Sequence, residues 1–459
     1  MEFLSSTFYF VVVVGILVFI HEFGHFIAAR MSGMRVDVFA IGMGYRLFGW
    51  NKKTGFTFGS LAEDFDGEGN CDYRLSAFPI GGYVKIAGMI DESMDADFVQ
   101  SEPKPWEFRS KNAFLKAFTI SAGVIMNALL ALMIFTFITL SEGTFHNGTT
   151  TVGYVQEGSI AKSIGLQEND RILSVNGIKV FTWQDMLQNL ALTDFGGSRK
   201  VELRRGENNI VLNVEGSQLV KAVSGEKPLG LAPHNAYVLL TGVETVKPAG
   251  KAGLKEGDTV ISMNSMPIKS VVQFQSIVKE HKEKPITVVY KRGAATDSAN
   301  VTPDASGLIG VGISDGFYGK VIHRTYGLFE ALSIGTTECV NSASMFFNTF
   351  GQIFQGNMSV KQSLGGPILI AKHASQRADM GLVSFLHFVA LLSITLAIVN
   401  ILPIPALDGG HLLFILIEAI IRREVPIKFK MIVQQAGLAF VVLLMVFMFY
   451  NDITRVLGI

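Results

Sequence analysis

The chain has 459 residues, of which 49% are hydrophobic and only 17% are charged, against about 25% charged in ordinary soluble domains. Its 39 basic and 39 acidic residues cancel, so no nucleic-acid partner is predicted. Only two cysteines are present, Cys71 and Cys339, which excludes a disulfide framework or a cysteine-based metal site. Any metal ligands must therefore be histidines and carboxylates.

Four apolar stretches are long enough to cross a bilayer core, which takes about 20 residues. They predict transmembrane helices within 1–30, 114–141, 382–402 and 431–450. The first stretch is unlike a secretory signal peptide, because it starts without basic residues, is too long and is followed by no small-residue cleavage site.

The first span ends in His21-Glu22-Phe23-Gly24-His25. Histidines four positions apart on a helix project from one face, and this spacing lets both imidazoles bind one zinc ion. Zinc acidifies water, and the neighbouring Glu22 carboxylate can then take its proton. Ionisable residues inside a span are costly unless they are paired or bind metal. The motif therefore predicts a catalytic zinc site; the alternative is a pair of helix-end histidines satisfied by neighbouring groups.

Basic residues are concentrated in two connections, 31–113 and 403–430. They include Arg35, Arg46, Lys52, Lys53, Lys104, Arg109 and Lys111 in the first and Arg422, Arg423, Lys428 and Lys430 in the second. The positive-inside rule then places both connections in the cytoplasm and the region 141–381 outside. The histidine motif is predicted to face the cytoplasmic side.

A sequence repeat lies between the second and third spans. Gly165-Leu-Gln-Glu-Asn-Asp170-Arg-Ile-Leu-Ser-Val-Asn176-Gly177 recurs 88 residues later as Gly253-Leu-Lys-Glu-Gly-Asp258-Thr-Val-Ile-Ser-Met-Asn264-Ser265. Each copy predicts a turn, an Asp-led strand and a second turn, followed by an amphipathic helix (182–192 and 271–281). The copies resemble PDZ domains, which can bind peptide C-termini as an added strand. We expect PDZ-like domains at 145–227 and 228–318; two β-rich spacers without a ligand are the alternative.

The segment 319–381 is predicted to be an amphipathic connecting region. Phe346, Phe347, Phe350 and Phe354 share one face at helical spacing. This face could rest on the membrane surface or pack on the second PDZ-like domain, and packing is the preferred interpretation.

A catalytic zinc usually has three protein ligands. The candidates for the third are His387, Asp408, His411 and Glu418. The first and third spans run in the same direction, so the partner of the histidine motif should lie at the inner end of the third span, where Asp408 is. His387 lies at the outer end, and the other two lie further along as polar residues of a bundle interior.

The sequence Asn400-Ile-Leu-Pro403-Ile-Pro405-Ala-Leu-Asp408-Gly409-Gly410 also predicts a helix break after Asn400. Non-helical backbone at membrane depth is tolerated only where it is buried in protein or lines a water-filled cavity. Hydrolysis needs such a cavity.

These motifs together resemble the site-2 protease family over essentially the whole chain. The resemblance implies that His21, His25 and Asp408 bind one Zn²⁺ per chain and that Glu22 is the general base. It also implies that Asn400 holds the substrate or stabilises the oxyanion. The family's Gly-Gly-Tyr-Val-Lys stretch, which begins at Gly81 in this chain, belongs to a membrane-associated hairpin that pairs with an unwound substrate. The resemblance therefore implies substrate binding by Gly82, Tyr83, Val84 and Lys85. Val124 stands where relatives often have proline.

The expected fold is a polytopic α-helical membrane protein with four transmembrane helices and two β-rich PDZ-like domains inserted between spans two and three. The resemblance implies a zinc-dependent intramembrane endopeptidase of the bacterial inner membrane, with periplasmic PDZ-like domains. Its expected partners are the lipid bilayer and single-pass transmembrane substrates such as anti-sigma factors and signal-peptide remnants. The alternatives are a PDZ-bearing membrane scaffold or chaperone, and a metal transporter, for which no inverted repeat is visible.

Overall fold

The computed structural model describes residues 2–61, 67–89, 102–192, 197–223, 227–354 and 365–457. The predicted segments 31–113, 145–227 and 319–381 each include a stretch outside these residues. The chain forms two compact units, one made of Met1–Gly143 with Thr325–Ile459 and the other of Thr144–Arg324.

The helices are distributed over both units. In chain order they are α1 (Glu2–Met31), α2 (Ala113–Glu142), α3 (Ile160–Ser163), α4 (Trp183–Leu187, continued by a π-helical turn at Gln188–Leu192), α5 (Gly216–Val223), α6 (Pro248–Lys251), α7 (Val271–Glu280), α8 (Leu328–Phe354), α9 (Pro367–Asp379), α10 (Leu382–Ile401), α11 (Asp408–Ile421) and α12 (Ile427–Leu457). A short 3₁₀ turn spans Phe108–Ser110.

Among the described residues, the strands form one sheet in the first unit and four sheets in the second. They are β1 (Val36–Asn51), β2 (Gly55–Phe58), β3 (Asp72–Ile86), β4 (Thr144–Asn147), β5 (Val152–Val155), β6 (Arg171–Val175), β7 (Ile178–Lys179), β8 (Arg199–Arg205), β9 (Asn208–Val214), β10 (Leu231–Pro233), β11 (Ala236–Val243), β12 (Thr259–Met263), β13 (Met266–Pro267), β14 (Ile286–Arg292), β15 (Ala295–Val301), β16 (Val311–Phe317) and β17 (Val321–Arg324).

Four helices in the described part of the chain are long and apolar enough to cross a membrane. They cover Leu4–Met31, Ala113–Glu142, Leu382–Ile401 and Ile427–Thr454, which agrees with the four predicted spans. α2 is one continuous helix through Val124.

Small residues let α1 and α2 approach closely. A Cβ at Gly24 would collide with the Ala122 carbonyl of α2, as expected where membrane helices pack through small side chains. Further along, Val13 of α1, Ala131 and Phe135 of α2, and Val389 of α10 form one buried apolar cluster. The three helices therefore share a single core.

α8 also packs in this unit. Cys339, Ala343 and Phe346 pack against the apolar cluster shared by α1, α2 and α10. Phe346 of the predicted face therefore packs on the helix bundle, which differs from the preferred prediction of packing on the second PDZ-like domain, whereas Phe347 is 55% exposed. The side chain of Phe354 lies outside the described residues.

The connection between the third and fourth spans contains a helix. α10 ends at Ile401, the prolines lie in the following turn, and α11 begins at Asp408. The predicted helix break after Asn400 is thus present. Glu418 of α11 accepts a hydrogen bond from the Val425 amide at 2.8 Å and pairs with Lys430 of α12 at 2.6 Å, so it ties these two helices together.

A three-stranded sheet of order β2-β1-β3 follows α1. Ala29 at the end of α1 is buried with Val36 and Phe39 of β1 and with Val84 and Ile86 of β3. This packing anchors the sheet at the end of α1 that carries the histidine motif.

The second unit contains two copies of one arrangement. In the second copy the strand order is β15-β14-β12-β11-β16, with β13 on β12. In the first, β9-β8-β6-β7 form one sheet and β5 pairs with β10, while Thr151 bridges to Arg171. The predicted helices correspond to α4 and α7. β10 follows residue 227 yet pairs with β5, so the first copy extends past its predicted boundary.

The repeated aspartate has the same structural role in both copies. Asp170 and Asp258 are completely buried. Arg205 donates to both oxygens of Asp170 at 2.7 Å, and Arg292 donates to both oxygens of Asp258 at 2.7 Å. Each arginine also donates to the carbonyl of the repeated glycine, Gly165 or Gly253. Bidentate pairs of this kind are strong and directional. Each copy of the repeat therefore has an Asp–Arg pair, here called the Asp–Arg latch, that joins a turn to a strand.

We predict that Asp258→Asn destabilises the second copy by about 1–3 kcal/mol, because it weakens charge-assisted hydrogen bonds to a buried group. The measurement is the free energy of opening from amide hydrogen exchange of β12 and β14 in the full-length protein. Asp297→Asn on exposed β15 is the control. Equal protection in both variants would contradict this role.

The latch also predicts a pH dependence. Burial alone would raise the pKa of Asp258, but hydrogen bonds from Arg292 and from the Lys255 amide outweigh it, so this pKa lies below its ordinary value of 3.8. The stabilisation is therefore present above the ordinary pKa and is lost as pH falls through the lowered one. Asp258→Asn should lack this portion of the acid sensitivity.

Candidate metal centre

Two imidazoles and one carboxylate meet at one point in the first unit. His21 Nε2 lies 3.0 Å and His25 Nε2 lies 3.4 Å from Asp408 Oδ2. The two Nε2 atoms are 3.3 Å apart. Both imidazoles are buried, at 8% and 7% exposure. Within the described ranges, this is the one group of histidine, cysteine or carboxylate side chains that could share a metal ion.

The local fold explains how Asp408 reaches the histidines. It is the first residue of α11, after the turn that holds Pro403 and Pro405. The amino-terminal end of a helix carries partial positive charge and favours a carboxylate. A Cβ at Gly409 would collide with the carbonyls of Leu402 and Ile401, so only glycine lets the chain turn back this tightly.

The residues fit a zinc ion. Bonds of about 2.0–2.1 Å in a tetrahedral site place neighbouring ligand atoms about 3.3 Å apart, and the three observed separations lie close to that value. Asp408 Oδ2 is buried, and no hydrogen bond of acceptable geometry reaches it. A cation between the three atoms would satisfy this oxygen and both imidazoles. Three ligands leave a fourth position open, as in catalytic zinc sites.

α2 contacts the His25 ring on the side away from Asp408. His25 Nδ1 donates to the Thr119 carbonyl at 2.9 Å, which directs its Nε2 towards Asp408. A Cβ at Gly123 would lie 2.5 Å from His25 Nε2 and 2.8 Å from His21 Cε1. Glycine at this position therefore provides the space that both imidazoles occupy.

A cavity of about 110 Å³ lies against the cluster, large enough for several water molecules. Its lining includes the three clustered residues, Glu22, Asn400 and His411. Asn400 Nδ2 is 3.3 Å from His21 Nε2. The cavity therefore places a carboxylate, an amide donor and water-sized space beside the proposed ligands.

Part of β3 also lines this cavity. Tyr83, Val84 and Ile86 contribute to its wall, and a Cβ at Gly82 would lie 3.2 Å from Glu22 Cγ. Ala40 of β1 is opposite Tyr83. Among the described strands, only β1 pairs with this end of β3, so its other edge carries no strand.

The structure separates the four candidates for a third ligand. Asp408 joins the histidines, while His387 packs edge-to-face against Phe135 with ring centroids 5.5 Å apart. Glu418 ties α11 to α12. His411 lines the cavity and contacts Gln434 at 2.9 Å, so it is nearer the site than the sequence suggested.

None of Thr119, Gly123 and Asn127 is predicted from the sequence to act at the metal centre. The three residues recur at intervals of four in a mostly apolar helix. That spacing was the available signal, since it places them on one face.

Sequence comparison finds similarity to one peptidase family along most of the chain. Residues 9–444 match Peptidase family M50. A protein of Pasteurella multocida is 33% identical over 477 residues, covering 99% of this chain and 100% of the relative. Protease RseP of Yersinia pestis is 30% identical over 475 residues (99% and 100%). The regulator of sigma-E protease RseP of Escherichia coli is 29% identical over 472 residues (97% and 98%).

The family match covers most of the chain and includes both sequence segments that meet at the metal centre, so the chain belongs to peptidase family M50, the site-2 protease family, and is a membrane-embedded zinc metalloprotease of regulated intramembrane proteolysis.

Proposed function

We propose that this protein is an endopeptidase that cuts the transmembrane segments of single-pass proteins, using one zinc ion held by His21, His25 and Asp408. The observation that carries the proposal is the convergence of these three side chains beside a cavity that Glu22 also lines. The ligands come from α1 and α11, and α1 is one of the candidate membrane spans. Cleavage would therefore take place within the membrane region.

When bound, zinc supplies Lewis-acid chemistry that polarises the scissile carbonyl and acidifies water. Glu22 takes the proton of the attacking water and returns it to the leaving amine. Asn400 donates from Nδ2 to the oxyanion that develops on the scissile carbonyl. The 3.3 Å contact of this nitrogen with His21 Nε2 supports such a role.

The substrate must be extended to be cut, because helical carbonyls are hydrogen-bonded and shielded. We propose that it pairs with the segment Gly82, Tyr83, Val84 and Lys85 as an added strand. Support comes from the position of this segment at the cavity and from the absence of another strand on its outer edge in the described part of the chain.

The β-rich unit is proposed to comprise two PDZ-like domains on the periplasmic side, with the metal site towards the cytoplasm. Support comes from the repeated strand order, the positive-inside pattern and the edge position of β16 beside α7. Peptide C-termini would bind along β16. The names of the relatives suggest anti-sigma factors as one substrate class, and signal-peptide remnants are another.

A membrane scaffold or chaperone remains the rival function. It would need the β-rich unit but neither Glu22 nor the cavity. The enzyme is favoured because a general base lines the same cavity as the three proposed ligands.

We predict that Asp408→Ala and His21→Ala each lower zinc content and abolish cleavage, because two ligands hold zinc weakly. Glu22→Gln should keep zinc and lower turnover by about 10²–10⁴-fold or more, because it removes only the base. The measurements are zinc per folded protein and cleavage of a model transmembrane peptide.

His411→Ala is the matched control, since His411 lines the same cavity three positions after Asp408 and should retain zinc. If Asp408→Ala kept full zinc while His411→Ala lost it, the ligand set would have to be redrawn. Unchanged cleavage in Glu22→Gln would favour another mechanism.

Gly82→Ala should slow cleavage by about 10- to 100-fold with zinc retained, because small displacements near reacting groups are costly. The added Cβ would lie 2.8 Å from the Ala40 carbonyl and 2.9 Å from Val18 Cγ1. Gly15→Ala in α1 is the control, since nothing lies within 4 Å of its Cβ position. Cleavage at the normal rate in Gly82→Ala would argue against the role of this strand.

Removal of 148–320 should leave zinc binding and the cleavage of short substrates intact. The ends can be rejoined through an Asn-Gly turn, because Asn147 of β4 and Val321 of β17 are already paired. If the second unit restricts the access of substrates with long outer segments, this variant should also cut such substrates faster than the intact protein does. Loss of zinc from a folded deletion variant would show that the two units do not have separate roles.

A further inference from the structure

One face of α2 lies against both histidines of α1. Thr119, Gly123 and Asn127 recur every four residues on this face. The Thr119 carbonyl accepts from His25, Gly123 leaves space for both rings, and Asn127 contacts His21. All three residues of this face therefore contact or make room for the two histidines. Asn127 is the one for which the preceding sections give no role.

Asn127 is completely buried, and its side-chain amide lies against the far side of the His21 ring. Its exposure is 0%, and Nδ2 is 3.2 Å from His21 Nδ1. The other end of the amide, Oδ1, is buried with no hydrogen-bond partner. One end of the group therefore faces a ring nitrogen while its acceptor oxygen is unused.

The position of the ring proton of His21 decides which end of the Asn127 amide should face the ring. If Nε2 binds a cation together with Asp408, the ring proton resides on Nδ1. Nδ1–H then needs a hydrogen-bond acceptor. If the NH₂ end of the Asn127 amide faced it, two donors would point at each other. The oxygen and nitrogen ends of a carboxamide have nearly the same shape, so hydrogen bonding selects the orientation. Rotating the group by 180° places Oδ1 against Nδ1–H.

We propose that Asn127 is a positioning residue for the metal centre, accepting a hydrogen bond from His21 Nδ1–H through Oδ1 and so holding Nε2 towards the metal. This proposal rests on the zinc site proposed above. Ser393 of α10 donates to the Asn127 backbone carbonyl at 2.7 Å and is itself fully buried. The contact fixes α2 where the amide meets the ring, so α1, α2 and α10 together set the orientation of His21.

The proposal is tested by zinc affinity in full-length, metal-free protein, measured by competition with a chromogenic chelator. Asn127→Leu should weaken zinc binding by about 10- to 100-fold, as for other groups that orient a metal-bound histidine. Asn127→Asp should bind zinc within a few-fold of wild type, because a carboxylate accepts from Nδ1–H. Thr139→Val is the control, because Thr139 is a buried hydroxyl of the same helix bonded to Phe135.

The aspartate variant distinguishes the two orientations. If Asn127 acted as a donor to Nδ1, Asp would lose the interaction, and zinc binding as weak as in Asn127→Leu would overturn the proposal. Wild-type affinity in a folded Asn127→Leu would overturn it as well. If the leucine variant does not fold, Asn127→Asp alone decides. His21→Ala in the same titration keeps the two proposals apart, since unchanged affinity in that variant would refute the zinc site itself.

Discussion

The contact of Asp408 with His21 and His25 joins two helices from opposite ends of the sequence inside an apolar bundle. Charged and polar groups at membrane depth are costly unless they are satisfied, and here Asp408 Oδ2 lies beside two imidazole nitrogens and receives no hydrogen bond of acceptable geometry from the described residues. A cation removes this cost for all three groups at once. The geometry of α1, α10 and α11 is therefore tied to the metal centre, and the broken helix at Pro403 and Pro405 follows from the need to bring Asp408 back to α1.

α2 contributes no ligand, yet it determines how precisely the ligands are held. Gly24 of α1 meets the Ala122 carbonyl, and Gly123 of α2 leaves the volume that the two rings fill. Close approach through small residues gives the backbone and the short side chains of α2 access to both Nδ1 atoms. A bulkier helix would separate the bundle and leave the imidazoles free to rotate.

We propose two strand edges as sites for an extended peptide. The end of β3 lies at the catalytic cavity, and β16 ends the sheet of the second β-rich copy. The stability of the second unit does not depend on the metal centre, because each copy has its own apolar core and its own Asp–Arg latch. The fold of the second unit and the metal centre can thus vary separately.

The sequence by itself determined the four spans, the repeat, the helix break and the side chains able to bind zinc, because these follow from hydropathy, local spacing and proline geometry. Asp408 was predicted as a ligand only from its expected depth in the membrane and from family resemblance. A ligand so distant in the chain from the histidines leaves no local sequence pattern. Only the tertiary structure showed that α8 packs on the helix bundle, that β10 belongs to the first copy and that His411 lines the cavity. The contact of Asn127 with His21 also needed the structure, because a buried amide in an apolar helix has the same local sequence whichever helix it faces.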